Sequence, residues 1–187
     1  MPENMTVTVE VWPVAADDAG IWLLSGAEGA WRFGPVSADG DVHWEAQRLL
    51  FRHRINPDSE LFTAIPADWP AVSVIHWTSC RPDGPTIVHT IMAVVSVPGF
   101  VLETWPHAAP VTSALPEAIG KAPPHGAADA PVPRVADVLL HGIRHLRWLA
   151  TDEGDAETAA ALDANWLRHL APLRPALATM FSERLAG

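Results

Sequence analysis

The first part of the chain alternates short β-branched or apolar runs with turn residues, a pattern typical of a sheet. Residues 6–14 alternate in polarity until Pro13 interrupts them, which predicts a first strand with a sheet edge or a bulge near its end. Residues 17–20 are typical of a turn, and residues 21–25 then predict a buried strand that forms a hairpin with the first. Residues 31–33 predict a third, brief strand.

The spacing of apolar side chains changes to a helical period over residues 43–54. Apolar residues recur there every three or four positions among polar ones, and the segment contains neither Gly nor Pro. The Asp-Gly-Asp turn at residues 39–41 precedes it, and Asn56-Pro57 follows it. The pattern therefore predicts one helix between these two breaks.

Two later runs predict a second hairpin. Residues 71–78 and 86–97 are rich in β-branched residues, and residues 81–85 between them supply turn residues. Because strands and a helix are interleaved over this half of the chain, we expect an α+β fold in which a mixed sheet packs against the helix.

The composition changes after residue 105. Residues 106–133 contain seven prolines and eight alanines, which disfavours long regular structure and predicts a connector along the surface, with one short helix near Glu117. We therefore expect an α+β core over residues 1–105, this connector, and a helical extension over residues 134–187 that packs on the core.

The extension is predicted to hold three helices. Residues 135–150 have a helical apolar period, and Asp155 is a typical N-cap for a second helix that continues through His169. Two prolines then end that helix, and a last helix is expected to reach Leu185.

The charge balance narrows the class of partner. The 187 residues include 12 Lys and Arg against 22 Asp and Glu, a formal charge of −10, which disfavours binding to a phosphate backbone. No apolar run is long enough to cross a membrane, and the first residues lack the basic and apolar regions of a signal peptide, so we expect neither. One cysteine, Cys80, agrees with a reducing compartment. We expect a cytoplasmic protein with no nucleic-acid or membrane partner.

Two adjacent segments carry a resemblance to a known family. Residues 31–36, Trp-Arg-Phe-Gly-Pro-Val, and residues 40–46, Gly-Asp-Val-His-Trp-Glu-Ala, resemble the Trp-containing strand, the glycine loop and the opening of the catalytic helix in Nudix hydrolases. The order of predicted elements over residues 6–104 is also similar to the Nudix order. The resemblance implies a Nudix-like sheet and helix.

The catalytic half of the Nudix signature is absent. In that family, Glu side chains on one helical face hold Mg²⁺ against a diphosphate. When Asp41 is aligned with the first Glu of the signature, Leu49 and Leu50 replace its Arg-Glu pair, and His53 and Arg54 replace its Glu-Glu pair. A shift of one residue does not restore the acids. The resemblance therefore implies a relative that has lost hydrolysis.

A binding role on the same scaffold is the preferred hypothesis. Cationic side chains on the helix would attract an anion, and tryptophans near it would stack on a planar ligand, which the family resemblance implies to be nucleotide-derived. The candidate ligand-binding residues are Arg48, Arg52, Trp22, Trp31, Trp44 and Trp77. The alternative interpretation is that the arginines form a solvated helix face and the tryptophans fill the core.

Two other functions stay open. The chain could be a Mg²⁺-dependent diphosphate hydrolase that uses Glu45 with Asp41, Asp39 or Glu103 in place of the missing acids. It could instead be an interaction module, in which the C-terminal helices form a homodimer or bind a partner. We favour a non-enzyme over the hydrolase.

A row of polar residues on the 135–150 helix suggests a further possibility. Asp137, His141 and His145 lie on one side of that helix, and Asp152 continues the row. Two histidines one turn apart can chelate a transition metal, with His169 as the further ligand. A polar face between helices or toward solvent is the simpler interpretation, and no metal is the expectation.

Overall fold

The computed structural model describes residues 6–26, 29–36, 40–83, 85–97, 102, 105–111, 135–151 and 154–177. Within these ranges the chain forms a six-stranded mixed sheet and four helices, so the predicted α+β class is confirmed. The strands are β1 (Thr6–Ala16), β2 (Ile21–Leu23), β3 (Trp31–Val36), β4 (Ala71–Asp83), β5 (Thr86–Ser96) and β6 (Ala109–Val111). The helices are α1 (Val42–Arg52), α2 (Val135–Leu149), α3 (Ala156–Ala161) and α4 (Ala164–Leu170).

The sheet has the order β4-β5-β1-β2-β6, and β3 also pairs with β1. Strand β1 runs parallel to β5, while the described pairs β1–β2, β1–β3, β4–β5 and β2–β6 are antiparallel. Both predicted hairpins are therefore confirmed. The second is longer than expected, because β4 continues through the predicted turn residues to Asp83. Part of the predicted connector, residues 109–111, pairs with β2 as β6.

The sheet edge predicted near Pro13 is wrong, because β1 is the central strand, and the irregularity recorded in β1 lies between Val7 and Val9 and not at Pro13. On one side it pairs with β5 from Thr6 to Val14. On the other side it pairs first with β3, up to Val11, and then with β2, from Val14 onward. The carbonyl of Pro13 accepts a hydrogen bond of 2.9 Å from Leu24 on this second side. The missing N–H of the proline thus falls at the gap between β3 and β2, where no ladder bond is lost.

Helix α1 forms where the sequence predicts it. The carboxylate of Asp41 accepts hydrogen bonds from the backbone N–H groups of His43 (2.9 Å) and Trp44 (3.1 Å), which caps the first turn. Its apolar stripe is buried at Ala46, Leu49 and Leu50, against the side chains of β1 that point to this face. The helix and the side chains of β1 to β5 on this face thereby form the first core of the protein.

Helix α2 packs on the opposite face of the sheet. The second core joins its apolar residues to Trp12 and Val14 of β1, and α4 contributes Trp166 and Leu170. Gly142 lies over Met92 of β5, and a side chain at this position would overlap with the methionine. A side chain there would therefore require the terminal methyl group of Met92 to move.

The predicted single helix over residues 155–169 is wrong, since the segment forms two helices. Asp155 caps α3 as expected, but Leu162 adopts an extended conformation and is buried in the second core. Asp163 then caps α4 through the backbone N–H groups of Asn165 (2.9 Å) and Trp166 (3.0 Å). Burial of Leu162 and a second N-cap together outweigh the helical propensity of the alanine-rich segment.

Several expectations lie outside the described residues. They include the short helix near Glu117, the end of the last predicted helix, and the candidate acids Asp39, Glu103 and Asp152. The three-part division of the chain stays a prediction. In the part of the chain that the structure describes, none of the helices is both long enough and apolar enough to span a bilayer.

Candidate functional site

The candidate site lies where the exposed side of α1 meets β3. The guanidinium carbon of Arg48 is 5.7 Å from the centre of the Phe33 ring, and that of Arg52 is 5.2 Å from the same ring. Both distances are within the range of a cation–π interaction. One aromatic ring on β3 therefore holds two cationic side chains of α1 side by side.

Trp31, two residues before Phe33 on the same face of β3, extends this surface. Its ring stacks on the imidazole of His53, with centroids 3.7 Å apart and planes 5° from parallel. Burial, and next the Arg52 guanidinium, lower the pKa of His53 below its usual value. The imidazole on Trp31 is consequently neutral near pH 7. The surface combines planar rings with the charge of the two arginines.

The two arginines differ in their ionic partners. Nη1 of Arg48 donates to both carboxylate oxygens of Glu45 at 3.0 Å, and the two side chains are 37% and 14% exposed. Within the described residues, no carboxylate lies within ion-pair distance of Arg52, and its residue is exposed. Arg52 therefore keeps its charge available to a ligand, while Glu45 partly neutralises Arg48.

The other predicted tryptophans lie elsewhere. Trp44 stacks on Phe62 and, with Phe51 and Trp69, forms an aromatic cluster that attaches the irregular 57–70 segment to α1. Trp22 is 9% exposed and belongs to the first core. Trp77 is 38% exposed on β4 beside His89, and two strands separate β4 from β3. The structure thus brings Arg48, Arg52 and Trp31 together, and leaves the three other tryptophans out.

The two candidate catalytic acids both have structural partners. Asp41 caps α1, and Glu45 holds Arg48, as described above. Among the residues that the structure describes, no three His, Cys, Asp or Glu side chains come together as a metal site. The two acids at the start of α1 are therefore bonded to the helix backbone and to Arg48, and do not cluster.

The three candidate metal-binding histidines do not converge. His169 on α4 forms a hydrogen bond of 2.8 Å with the carbonyl oxygen of Asp17. His145 instead contacts His76 of β4, with Nε2 of His145 3.2 Å from Nδ1 of His76. Burial lowers the pKa of His145 to about 4; the bond to the Ala176 carbonyl opposes this, and the nearby His76 and His141 add to it. His76 lies on strand β4 and His145 on helix α2, so the spacing of histidines within one helix could not indicate that these two would pair.

A buried ionic network on the α2 face was also missed by sequence reasoning. The carboxylate of Glu10 accepts hydrogen bonds from Arg81 (2.6 and 2.9 Å), from Arg32 (2.7 and 2.8 Å) and from the indole of Trp12 (2.8 Å). Burial raises the pKa of Glu10, but the two guanidinium groups and the indole outweigh it and lower the pKa. These three partners lie on three strands, so only the strand register, which pairs Glu10 with Arg32 and with Thr90 of β5, reveals the network.

A cavity of about 400 Å³ lies away from the α1–β3 surface and from the Glu10 network, at the carboxyl ends of the parallel strands β1 and β5. Its polar lining comes from Asp17, Ser73, Ser96, Asp163 and Asn165. Several of these groups already bond to the protein: one carboxylate oxygen of Asp163 caps α4, and the side-chain oxygen of Asn165 accepts from Arg168. None of the residues predicted to bind a ligand lines this cavity.

The chain matches no protein-family model, no curated protein and no solved structure. The resemblance to Nudix hydrolases therefore stays an expectation from the sequence motifs and from the order of the predicted elements.

Proposed function

We propose that this protein binds a small anionic ligand on the surface formed by α1 and β3, on a Nudix-like scaffold that lacks hydrolytic acids. The observation that carries the proposal is the placement of Arg48 and Arg52 together over Phe33, beside the stack of Trp31 on His53. The formal charge of the whole chain is −10, which repels an anion, whereas a local cationic surface attracts one.

The chemistry of these side chains favours a phosphate or carboxylate attached to a planar group. A guanidinium presents several N–H donors in a flat fork that matches the oxygens of such anions. The Trp31–His53 stack offers a ring surface within reach of the same cations. A nucleotide-derived ligand, the class implied by the Nudix resemblance, has both features.

The partners of Asp41 and Glu45 support a protein that binds without hydrolysis. A Mg²⁺ site needs clustered oxygen donors, whereas Asp41 bonds to the helix backbone and Glu45 to Arg48. A divalent cation near α1 would also meet the repulsion of Arg52. These contacts support binding without catalysis.

Isothermal titration with inorganic phosphate, AMP, ADP and a sugar phosphate tests the proposal. Removal of a charge-assisted contact should weaken the tightest ligand about 10-fold or more in Arg52→Gln. Arg174→Gln is the matched control, because Arg174 is exposed beside α2 on the other face of the sheet and the substitution removes the same charge. Equal affinities in the two variants, or no binding by the unmodified protein, would contradict the proposal.

A second measurement reports the position of the ligand. An anion bound beside Arg52 should raise the pKa of His53, because it stabilises the charged imidazole. An NMR titration of the histidine rings, with and without ligand, measures this shift. The rings of His89 and His169 serve as internal controls that should not change.

The hydrolase and the interaction module stay predictions. Phosphate release that depends on Mg²⁺ and is lost in Glu45→Gln would support the first. Light scattering of the full chain measures the oligomeric state for the second.

A further inference from the structure

The contact between His76 and His145 joins three elements at a buried point. His145 is on α2 and is 1% exposed, and His76 is on β4. Nδ1 of His145 donates to the carbonyl oxygen of Ala176 at 3.0 Å, and Nε2 faces Nδ1 of His76 at 3.2 Å. Nδ1 of His76 also lies 2.8 Å from the carbonyl oxygen of Trp77. The ring of Trp148 stacks against His145 at 5.6 Å.

The bonds determine where the protons lie. A carbonyl only accepts, so Nδ1 of His145 carries the proton of that ring, and its Nε2 presents a lone pair. Opposite this lone pair is Nδ1 of His76, which also faces the Trp77 carbonyl oxygen. Two acceptors, Nε2 of His145 and the Trp77 oxygen, therefore share the single proton on Nδ1 of His76.

The same arrangement is the one found around histidines that bind metals. A ligating imidazole usually donates its other N–H to a backbone carbonyl or carboxylate, which fixes the tautomer and the ring. Ligand nitrogens bound to one zinc-like ion at 2.0–2.1 Å are about 3.0–3.4 Å apart. The measured separation of 3.2 Å between the two imidazole nitrogens lies within this range.

We infer that His76 and His145 form a site for a divalent transition-metal ion such as Zn²⁺, Ni²⁺ or Cu²⁺, with the Trp77 carbonyl oxygen as a further ligand. The proton on Nδ1 of His76 moves to Nε2 of the same ring, and the ion takes its place between the two imidazole nitrogens. Imidazole nitrogen is a preferred ligand of these ions. Since no third His, Cys, Asp or Glu joins the pair among the described residues, water completes the coordination. This inference is independent of the anion-binding proposal.

Titration of the untagged, full-length chain with Co²⁺ tests the inference, because the visible bands of Co²⁺ report nitrogen ligation. We expect one equivalent to bind, and Zn²⁺ to displace it. The affinity should fall about 10-fold or more in His76→Val, which keeps a β-branched residue in the strand and removes the ligand. His43→Gln is the matched control, because His43 is exposed on α1, and it should bind as tightly as the unmodified protein.

A second measurement, made on the unmodified protein, does not depend on whether His76→Val folds. In the unmodified protein, Zn²⁺ should shift the ring signals of His76 and His145 together in an NMR spectrum. Binding of Co²⁺ that survives His76→Val, ring shifts at other histidines only, or no saturable binding would each overturn the inference.

Discussion

The two faces of the sheet use charged side chains in opposite ways. On the α1 face, Arg48 and Arg52 lie over a ring at the surface, and the one described ion pair there is partly exposed. On the α2 face, the carboxylate of Glu10 is buried and is bonded by Arg81 and Arg32. An exposed pair contributes little to stability, whereas a buried charge must keep its partners. Charge on the first face is therefore exposed to solvent, whereas each charge on the second face depends on its buried partner.

The largest expected effect is on the buried face. Arg81→Met should lower the free energy of unfolding by about 3–5 kcal/mol, because it leaves the Glu10 carboxylate buried without its main partner. Urea denaturation measures the change. Arg174→Gln should stay within about 0.5 kcal/mol of the unmodified protein, as expected for an exposed charge. A small effect of Arg81→Met would mean that water reaches Glu10.

The pH dependence of the free energy of unfolding also distinguishes the buried carboxylate on the α2 face from the exposed charges on the α1 face. The folded-state pKa of Glu10 is lowered from 4.5, so its contribution is present above pH 4.5 and is lost as the pH falls through the folded pKa. The difference in unfolding free energy between the unmodified protein and Glu10→Gln should therefore shrink on acidification, by at most about 1.4 kcal/mol per pH unit. A difference that does not vary between pH 7 and pH 3 would contradict this.

An intermediate effect is expected at the break between α3 and α4. Asp163→Ala removes the carboxylate that caps α4 and should cost about 1 kcal/mol, whereas Asp163→Asn retains an acceptor and should cost much less. Thermal denaturation of the two variants gives the comparison. If both variants are as stable as the unmodified protein, the cap contributes nothing.

The smallest effect on stability is expected on the α1 face. Arg52→Gln and Arg48→Gln should each change the free energy of unfolding by less than about 0.5–1 kcal/mol. The same variants should lower the affinity for the anion about 10-fold. Chemical denaturation and calorimetry on one set of samples measure both quantities. Loss of stability comparable to that of Arg81→Met would assign the arginines to the fold and remove the contrast between the faces.

Local patterns predicted the elements that local chemistry stabilises. The turn at residues 39–41 and the apolar period after it located α1, because Asp41 caps the helix from one residue away. The β4–β5 hairpin was likewise predicted from residues close together in the chain, namely two β-branched runs and the turn residues between them. Pro13 misled the edge assignment, since its missing N–H matters only on the side of β1 where partner strands change. Leu162 interrupted a predicted helix because a distant core buries it.

The candidate site was predicted in part. Arg48, Arg52 and Trp31 meet because they lie on adjacent elements, a helix and the strand just before it. Trp22, Trp44 and Trp77 were grouped with them by residue type, but the direction of each side chain depends on packing that a single sequence does not reveal. The buried polar groups were not indicated, because Glu10 and Arg81 are 71 residues apart and His76 and His145 are 69 apart.

The sequence by itself determined the α+β class and the arginines on α1, because these depend on residue type and on spacing within single segments. Only the tertiary structure decided which charges are buried, which rings contact Arg48 and Arg52, and which histidine faces His145. Those properties arise from strand register and from helices packed on opposite faces of the sheet. Burial then determines whether a charged side chain stabilises the fold or remains available to a ligand.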